Sequence, residues 1–320
     1  MILAGDIGGT KTNLGLFEQQ NGKLVRVVHE RYPSREHAGL EEILQAFLKT
    51  TGAKPTAAGF GIAGPVVDYR VHTGNLPWII DGATVAKLLG LPKVALLNDL
   101  EAAGYGVSLM EPTDLETLYA VTASTRTPKV VIAAGTGLGE CLLFWTGTKY
   151  VPMATEAGHA DFAPQTDQQA DLWKYIKARH DFVSAEMVLS GRGFQTLHEF
   201  LFPDIRHDGF DDPSVDPAPG ITHGALSGEC AACRAAVDLW IEIYGSEAGN
   251  LTVRTVARGG IFVAGGIAVK ILPLLKDGRF VAAAQRKEKM QDFLKAVPIQ
   301  VVLNEDCPLI GAAAAASLAG

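Results

Sequence analysis

Residues 1–13, MILAGDIGGTKTN, set the reading of the whole chain. Residues 2–4 are an apolar run that opens a buried strand. Asp6-Ile7-Gly8-Gly9-Thr10 closes it, and a second run, Asn13-Leu14-Gly15-Leu16-Phe17, follows at once. A glycine pair between two strands lets the backbone turn sharply and leaves its N–H groups uncovered. With Thr10 and Lys11 these groups form a cradle for an anionic oxygen, and Asp6 at the strand end is placed to hold a hydrated divalent cation. Taken alone, the stretch fits an ordinary glycine hairpin with an exposed aspartate equally well.

The pattern returns about 130 residues later. Residues 130–134 are an apolar strand, Gly135-Thr136-Gly137-Leu138-Gly139 a glycine turn, 140–145 a returning strand and 150–153 a third strand. Strand, glycine turn, strand, strand therefore occurs twice. This predicts a duplicated unit, one per domain, with a ligand between the two turns. A third turn, Gly265-Gly266, ends the strand 260–264 ahead of a helix from about Ala268, which suits close backbone approach by a nucleoside. By itself that turn is also a routine strand-to-helix connection. No GxxxxGK[ST] is present, so the chain is not a P-loop protein. In Gly135-x-Gly137-x-Gly139 the third glycine stands one place early for a dinucleotide fingerprint, and a strand follows where that fingerprint needs a helix.

Between the first two turns the chain alternates in an α/β layer pattern around a mixed, largely buried sheet. Its elements are a strand at 23–31, a helix at 40–48, a strand at 57–62 and a loop at 72–78. They continue with a helix at 84–89 with Asp81 as N-cap, a strand at 93–97 ending in Asn98-Asp99, and a helix from Glu101. Residues 111–128 read as a connection. Downstream the pattern is mostly helical, at 168–179, 185–189, 193–200 and 230–256, interrupted by 203–220 with the composition of an exposed loop. A strand at 297–303 and an alanine-rich helix at 309–318 close the chain. The boundaries this predicts are a small domain at 1–110, completed by 304–320, and a large domain at 111–303.

Length and composition narrow the function classes. The 320 residues suffice for two domains, and 48% hydrophobic with 20% charged residues is the balance of a globular protein. A net charge of −7 with no Lys/Arg cluster argues against a nucleic-acid partner. No apolar stretch reaches the roughly 18 residues that span a bilayer, and the N-terminus lacks the pattern of a signal peptide, so no membrane partner and a cytoplasmic location are expected. Of the four cysteines, Cys141 and Cys307 read as buried thiols. Cys230 and Cys233 form a CxxC on a helical pattern and read as helix-packing thiols, because no second CxxC supplies two further zinc ligands.

DIGGT at 6–10, GTGLGE at 135–140 and VAGGI at 263–267 resemble the two phosphate motifs and the adenosine motif of the sugar-kinase/actin/heat-shock ATPase superfamily. Within it, Leu97-Asn98-Asp99, the segment EAGHADFAP at 156–164 and SAExVLSG at 184–191 resemble the bacterial glucokinase family, in order and over nearly the whole chain. The related sugar kinases that carry a CxCGxxGCxE zinc cluster after the histidine differ, since no cysteine lies between Cys141 and Cys230. The resemblance implies a two-domain actin-like (ribonuclease H-like) ATPase fold with an interdomain cleft, a homodimer, and ATP-dependent phosphorylation of D-glucose at its 6-hydroxyl.

Phosphoryl transfer from ATP to an alcohol needs in-line positioning, a cation on the phosphates and a carboxylate to accept the hydroxyl proton. The resemblance gives the last role to Asp99, with Asn98 on a neighbouring hydroxyl; alone, Asn98-Asp99 also fits a helix cap. Glu156, His159 and Glu186 are the other implied sugar ligands, since carboxylates accept vicinal hydroxyls with defined geometry. Ser184 is a possible cap beside Glu186, and Asn75 lies in a loop near the family's sugar position. On the nucleotide side the resemblance places Gly8, Gly9, Thr10, Gly135, Thr136 and Gly137 on the phosphates, Gly265 and Gly266 at the adenosine, and Ser190-Gly191 along the same pocket. Mg2+ arrives with ATP and meets Asp6 through water, with no direct protein ligand; Lys11 receives no catalytic role. The alternatives are a kinase for another hexose or an N-acylhexosamine, a sugar-responsive regulator, and an actin- or chaperone-like ATPase. In the last, Glu156, His159 and Glu186 have no task.

Overall fold

The computed structural model describes residues 1–74, 76–207, 209–212 and 215–319; Asn75 lies outside the described residues. The chain forms two compact units, one of Met1–Asp114, Thr146–Ala154 and Asn304–Gly320, the other of Leu115–Trp145 and Thr155–Leu303. Residues 111–114, beyond the boundary drawn at 110, go with the first unit; there Asn304 Nδ2 donates to Asp114 Oδ1 over 3.1 Å.

In the first unit β1 (Ile2–Ile7) and β2 (Lys11–Gln20) make the opening hairpin, in the register Ile7↔Thr12 and Asp6↔Asn13, and β3 (Lys23–Pro33) pairs with β2. α1 (Leu40–Thr51) buries Leu40, Ile43, Leu44 and Phe47, the i, i+3, i+4, i+7 stripe of an amphipathic helix, and stops at Gly52 in the left-handed region. β4 (Ala57–Ile62) returns parallel to β1. A small antiparallel sheet of β5 (Val66–Val67), β6 (Arg70–His72) and β7 (Ile79–Asp81) then flanks the segment read as a loop, taking in His72 at its start. α2 (Gly82–Leu89) begins as expected on Asp81, whose Oδ1 accepts from Thr84 N–H at 2.9 Å. β8 (Ala95–Asn98) runs parallel to β4 and leads directly into α3 (Asp99–Val107), giving the sheet order β3-β2-β1-β4-β8.

The second unit opens on a strand where a connection is expected. β9 (Leu115–Tyr119) is half-buried and pairs only at a sheet edge, so its residues lack the apolar pattern that marks a core strand. β10 (Lys129–Ala134) and β11 (Leu138–Trp145) form the second glycine hairpin; of the strand that follows, β12 (Tyr150–Thr155), residues 150–154 belong to the first unit. Then come α4 (Asp167–Lys177), α5 (Ala185–Val188), α6 (Gly191–Leu201), α7 (Ala218–Ser227) and α8 (Ala231–Thr255). β13 (Ile261–Ala264), α9 (Gly266–Lys270), α10 (Leu272–Leu275), α11 (Arg279–Gln285), α12 (Gln291–Lys295) and β14 (Ile299–Val302) complete it. The strands β11, β10, β13, β14 and β9 lie side by side in that order. The stretch 203–220 is not simply an exposed loop: Phe210 is 7% exposed within the unit's core, and α7 starts at its end. In the middle of that core Trp240 of α8 stacks on Phe194 at 4.8 Å.

The chain closes on α13 (Cys307–Ala319), which belongs to the first unit. Its alanines pack against Ile2 and Ala4 of β1 while Leu3 and Ile7 face the opposite core, so β1 is covered on both faces. The approach is close enough that a Cβ at Gly59 would stand 2.2 Å from the Ala312 carbonyl oxygen. The two units repeat one arrangement. β1 pairs antiparallel with β2 and parallel with β4, and β10 pairs antiparallel with β11 and parallel with β13. Among the described residues no helix is long and apolar enough to cross a membrane.

Candidate active site

Asp6, the glycine turns and Asn98-Asp99 fall at the C-terminal ends of parallel strands, where open α/β sheets bind ligands, whereas Glu156 and His159 follow β12 and Glu186 lies on α5. In the first unit these ends are Ile7, Ile62 and Asn98. The β1–β2 tip holds Gly8, Gly9 and Thr10, with Thr10 exposed. It is fastened from below: Gly8 N–H donates to Lys11 O at 3.0 Å, and Ser34, buried, donates its hydroxyl to Gly8 O at 2.8 Å. Asp6 sits one residue before the end of β1. Burial pushes its carboxyl above the ordinary range, while an Asn13 hydrogen bond and the Lys11 charge pull the other way. Asn13 Nδ2 donates to Asp6 Oδ2 at 3.0 Å and its Oδ1 accepts from Arg31 Nε at 3.0 Å.

Asn13 and Arg31 are not among the residues selected from the sequence. The signal that would find Asn13 is the hairpin register, which sets it directly opposite Asp6.

At the end of β8, Asn98 caps α3, accepting from Leu100 N–H at 2.9 Å, and donates to Gly64 O at 3.1 Å. The helix-cap reading and the strand-end reading thus describe the same residue. One Nδ2 proton remains for a ligand. Asp99 follows, half-buried, with Oδ1 accepting from the same Leu100 N–H at 2.9 Å.

In the second unit the β10–β11 turn and the Gly265-Gly266 turn lie together. β10 and β13 are paired neighbours, and a Cβ at Gly265, whose φ is 89°, would stand 2.6 Å from Ala134 O. Only glycine fits that approach. Gly135 N–H donates to Gly137 O at 2.9 Å, and Gly191 N–H, at the start of α6, donates to Gly135 O at 2.8 Å. Ser190 caps α6 by accepting from Gly193 N–H at 3.3 Å, which places Ser190-Gly191 beside the turn. Thr136 is exposed at this tip, as Thr10 is at the first.

Glu186 joins the turn to the proposed sugar ligands. Its Oε2 accepts from Leu138 N–H at 2.9 Å, and its Oε1 lies 3.8 Å from His159 Nδ1. His159 Nε2 in turn lies 3.9 Å from Glu156 Oε2, so the imidazole stands between two carboxylates, with Glu156 and His159 both exposed. The three residues come from two segments held together by the Asp161↔Ser184 bridge and by Ala185 N–H donating to Ala160 O at 2.9 Å. Ser184 occupies the cap position of α5 without a side-chain cap bond. Gly158 is required by the packing, because a Cβ there would stand 2.1 Å from Leu138 O.

Glu140 is a further ionisable group that the sequence reading passed over. It lies fully buried on β11 with neither carboxyl oxygen hydrogen-bonded among the described residues. Burial and the nearby Glu247 push its carboxyl up to about 8, against the opposing pull of Arg254. The CxxC thiols also depart from plain packing: Cys230 and Cys233 stand with His198 and His207 in one cluster. A zinc-type set built from residues this far apart in sequence has no spacing signature to read.

Known proteins carry the same architecture from end to end. The profile of the family described as Glucokinase matches residues 3–319. A glucokinase of Nostoc sp. is 38% identical to this chain across 99% of each sequence. The crystal structure of a glucokinase from an Antarctic psychrotroph superposes with a TM-score of 0.86 at 29% identity, covering 99% of this chain and 98% of that one. A Balamuthia mandrillaris glucokinase solved in complex with glucose shares the fold, with a TM-score of 0.79 at 21% identity over 99% and 93% of the two chains. The two-domain actin-like fold that the family resemblance implies is therefore the fold of this chain.

Proposed function

The chain belongs to the glucokinase family, and from that premise we propose that it transfers the γ-phosphoryl group of ATP to the 6-hydroxyl of D-glucose, with Asp99 as general base. The observation that carries this reading is the double engagement of Glu186. One of its oxygens is bonded to the phosphate turn through Leu138 N–H, and the other faces His159 of the hydroxyl-binding group. A kinase for a polyol needs these two functions in fixed relation. An ATPase without a sugar substrate has no use for an exposed Glu-His-Glu set.

The division of labour follows from chemistry. Glu156, His159 and Glu186 accept and donate to vicinal hydroxyls at the anomeric end of the ring, and Asn98 orients a hydroxyl next to the reacting one. Asp99 takes the proton of the 6-hydroxyl as the O–P bond forms, a role worth about 10²–10⁴ in rate. Gly8, Gly9, Thr10, Gly135, Thr136 and Gly137 bind phosphate oxygens through N–H and hydroxyl donors, and Gly265 and Gly266 admit the nucleoside. Asp6 fits a cation carried by the nucleotide: it is a half-buried carboxylate whose ionised form costs desolvation that a nearby cation offsets. When bound, Mg2+ neutralises charge on the phosphates. The reading carries with it a cytoplasmic enzyme that works as a homodimer.

The test is a coupled assay over glucose, mannose, fructose and N-acetylglucosamine, run on the parent chain and on Asp99→Asn. Glucose is expected to have the highest kcat/KM. Asp99→Asn is expected to lose about 10³-fold in kcat while calorimetry still registers glucose binding. Near-normal kcat in that variant would refute the base. Turnover of the N-acylated sugar without turnover of glucose would replace the substrate.

A further inference from the structure

The second unit holds a cluster that the kinase reading leaves without a task. His198 lies in the last turn of α6, His207 in the segment after it, and Cys230 and Cys233 at the start of α8. Their ligating atoms all lie within 4.8 Å of one another. His198 Nε2 is 3.1 Å from His207 Nε2, which is 3.6 Å from Cys230 Sγ and 3.3 Å from Cys233 Sγ. Around a tetrahedral zinc, with bonds of about 2.05 Å to nitrogen and about 2.3 Å to sulfur, the edges measure about 3.3 Å for N···N and about 3.5 Å for N···S. The three distances match those edges within a few tenths of an ångström. We propose that His198, His207, Cys230 and Cys233 bind one Zn2+ in a closed Cys2His2 site.

The surroundings fit a structural metal. Two thiolates and two imidazoles in a tetrahedron select zinc over the harder divalent ions, and four protein ligands leave no position open for substrate. The site is largely dry: His198 and Cys233 are buried, and the His198 ring meets Phe210 edge-on at 5.2 Å. Gly224 of α7 admits the sulfurs, for a Cβ there would stand 3.2 Å from Cys233 Sγ. The metal would tie three segments, α6, the irregular stretch after it and α8. It would hold the irregular stretch after α6, which contains Phe210, onto the N-terminal end of α8.

This set differs from the zinc motif that separates the related sugar kinases, and none of its four residues belongs to the proposed substrate or nucleotide ligands.

The experiment is metal analysis of the untagged full chain, produced with zinc in the medium and purified without chelator. About one zinc per chain is expected, with the content falling to background in Cys230→Ser and in His207→Asn. Because a variant can fail to fold, the parent chain is also stripped and titrated with Co2+. A saturable visible spectrum of tetrahedral, sulfur-bearing cobalt at one equivalent supports the site. Failure of the stripped, folded chain to take up either Zn2+ or Co2+ would overturn it. So would full zinc content in both variants, or a Cys230–Cys233 disulfide in chain isolated under reducing conditions.

Discussion

The two glycine hairpins share a topology and part company over one carboxylate. In the first, Asp6 lies near the end of the central strand, bonded to Asn13 and within the field of Lys11 and Arg31. In the second, the corresponding strand β10 carries no acid. The carboxylate is Glu140 on the returning strand, buried toward α8 with no hydrogen-bond partner among the described residues and raised to about 8. The same backbone unit therefore presents a carboxyl hydrogen-bonded across the hairpin in one copy and, in the other, a carboxyl with no hydrogen bond among the described residues. Duplication copies the strand and turn geometry, because glycine and apolar alternation specify it. The chemistry at each tip is set by one or two side chains that are free to diverge.

Substituting the amide at each carboxylate is the sharpest way to break this comparison. Asp6→Asn is expected to lower kcat about 10²-fold, on the scale of removing one electrostatic contact to the transferring phosphoryl group, with KM for glucose unchanged in steady-state assays. A rate equal to the parent's would put the two hairpins on the same footing.

Glu140→Gln should do the opposite, sparing kcat and changing stability with pH. Glu140 is raised to about 8 in the folded chain against 4.5 unperturbed, so between those values the folded state holds a proton that the unfolded state has lost. Its contribution to stability is complete below pH 4.5 and declines as pH rises through about 8. The glutamine variant lacks that decline. It should be the more stable of the two at about pH 9, by several kcal/mol, and the gap should shrink toward about pH 5. Parallel melting curves at both pH values would show that Glu140 does not titrate in this range.

A smaller effect is expected where the third turn meets the second. Gly265→Ala forces a side chain into a φ of 89° and against Ala134 O. It should raise KM for ATP about 10-fold, the scale of 1–3 kcal/mol of local strain, and leave KM for glucose in place. Asn13→Ala is the mildest change. Losing its bonds to Asp6 and Arg31 should cost about 1 kcal/mol by denaturant unfolding, and it tests whether the first hairpin's pairing is structural.

Much of this molecule was legible in the sequence. The strand at 57–62, the Asp81 cap, the glycine turns and the buried Cys141 and Cys307 are local statements about periodicity, capping and φ, and the structure holds them as read. What escaped shares one character. β9 at 115–119 is an edge strand whose identity depends on the β14 edge it joins. Phe210 is buried because other elements close over it, although its own segment has a loop composition.

By itself, then, the order of residues determined the duplicated strand and turn units, the family and the placement of Asn98-Asp99 at a strand end, because each rests on neighbours close along the chain. Only the tertiary structure decided that Glu186 braces the β10–β11 turn, that Glu140 is sealed from water, and that Cys230 and Cys233 meet two histidines. The Glu186 and cysteine pairings join residues between 23 and 48 positions apart, and the groups around Glu140 lie farther still. Such contacts depend on how elements pack, which no local pattern encodes.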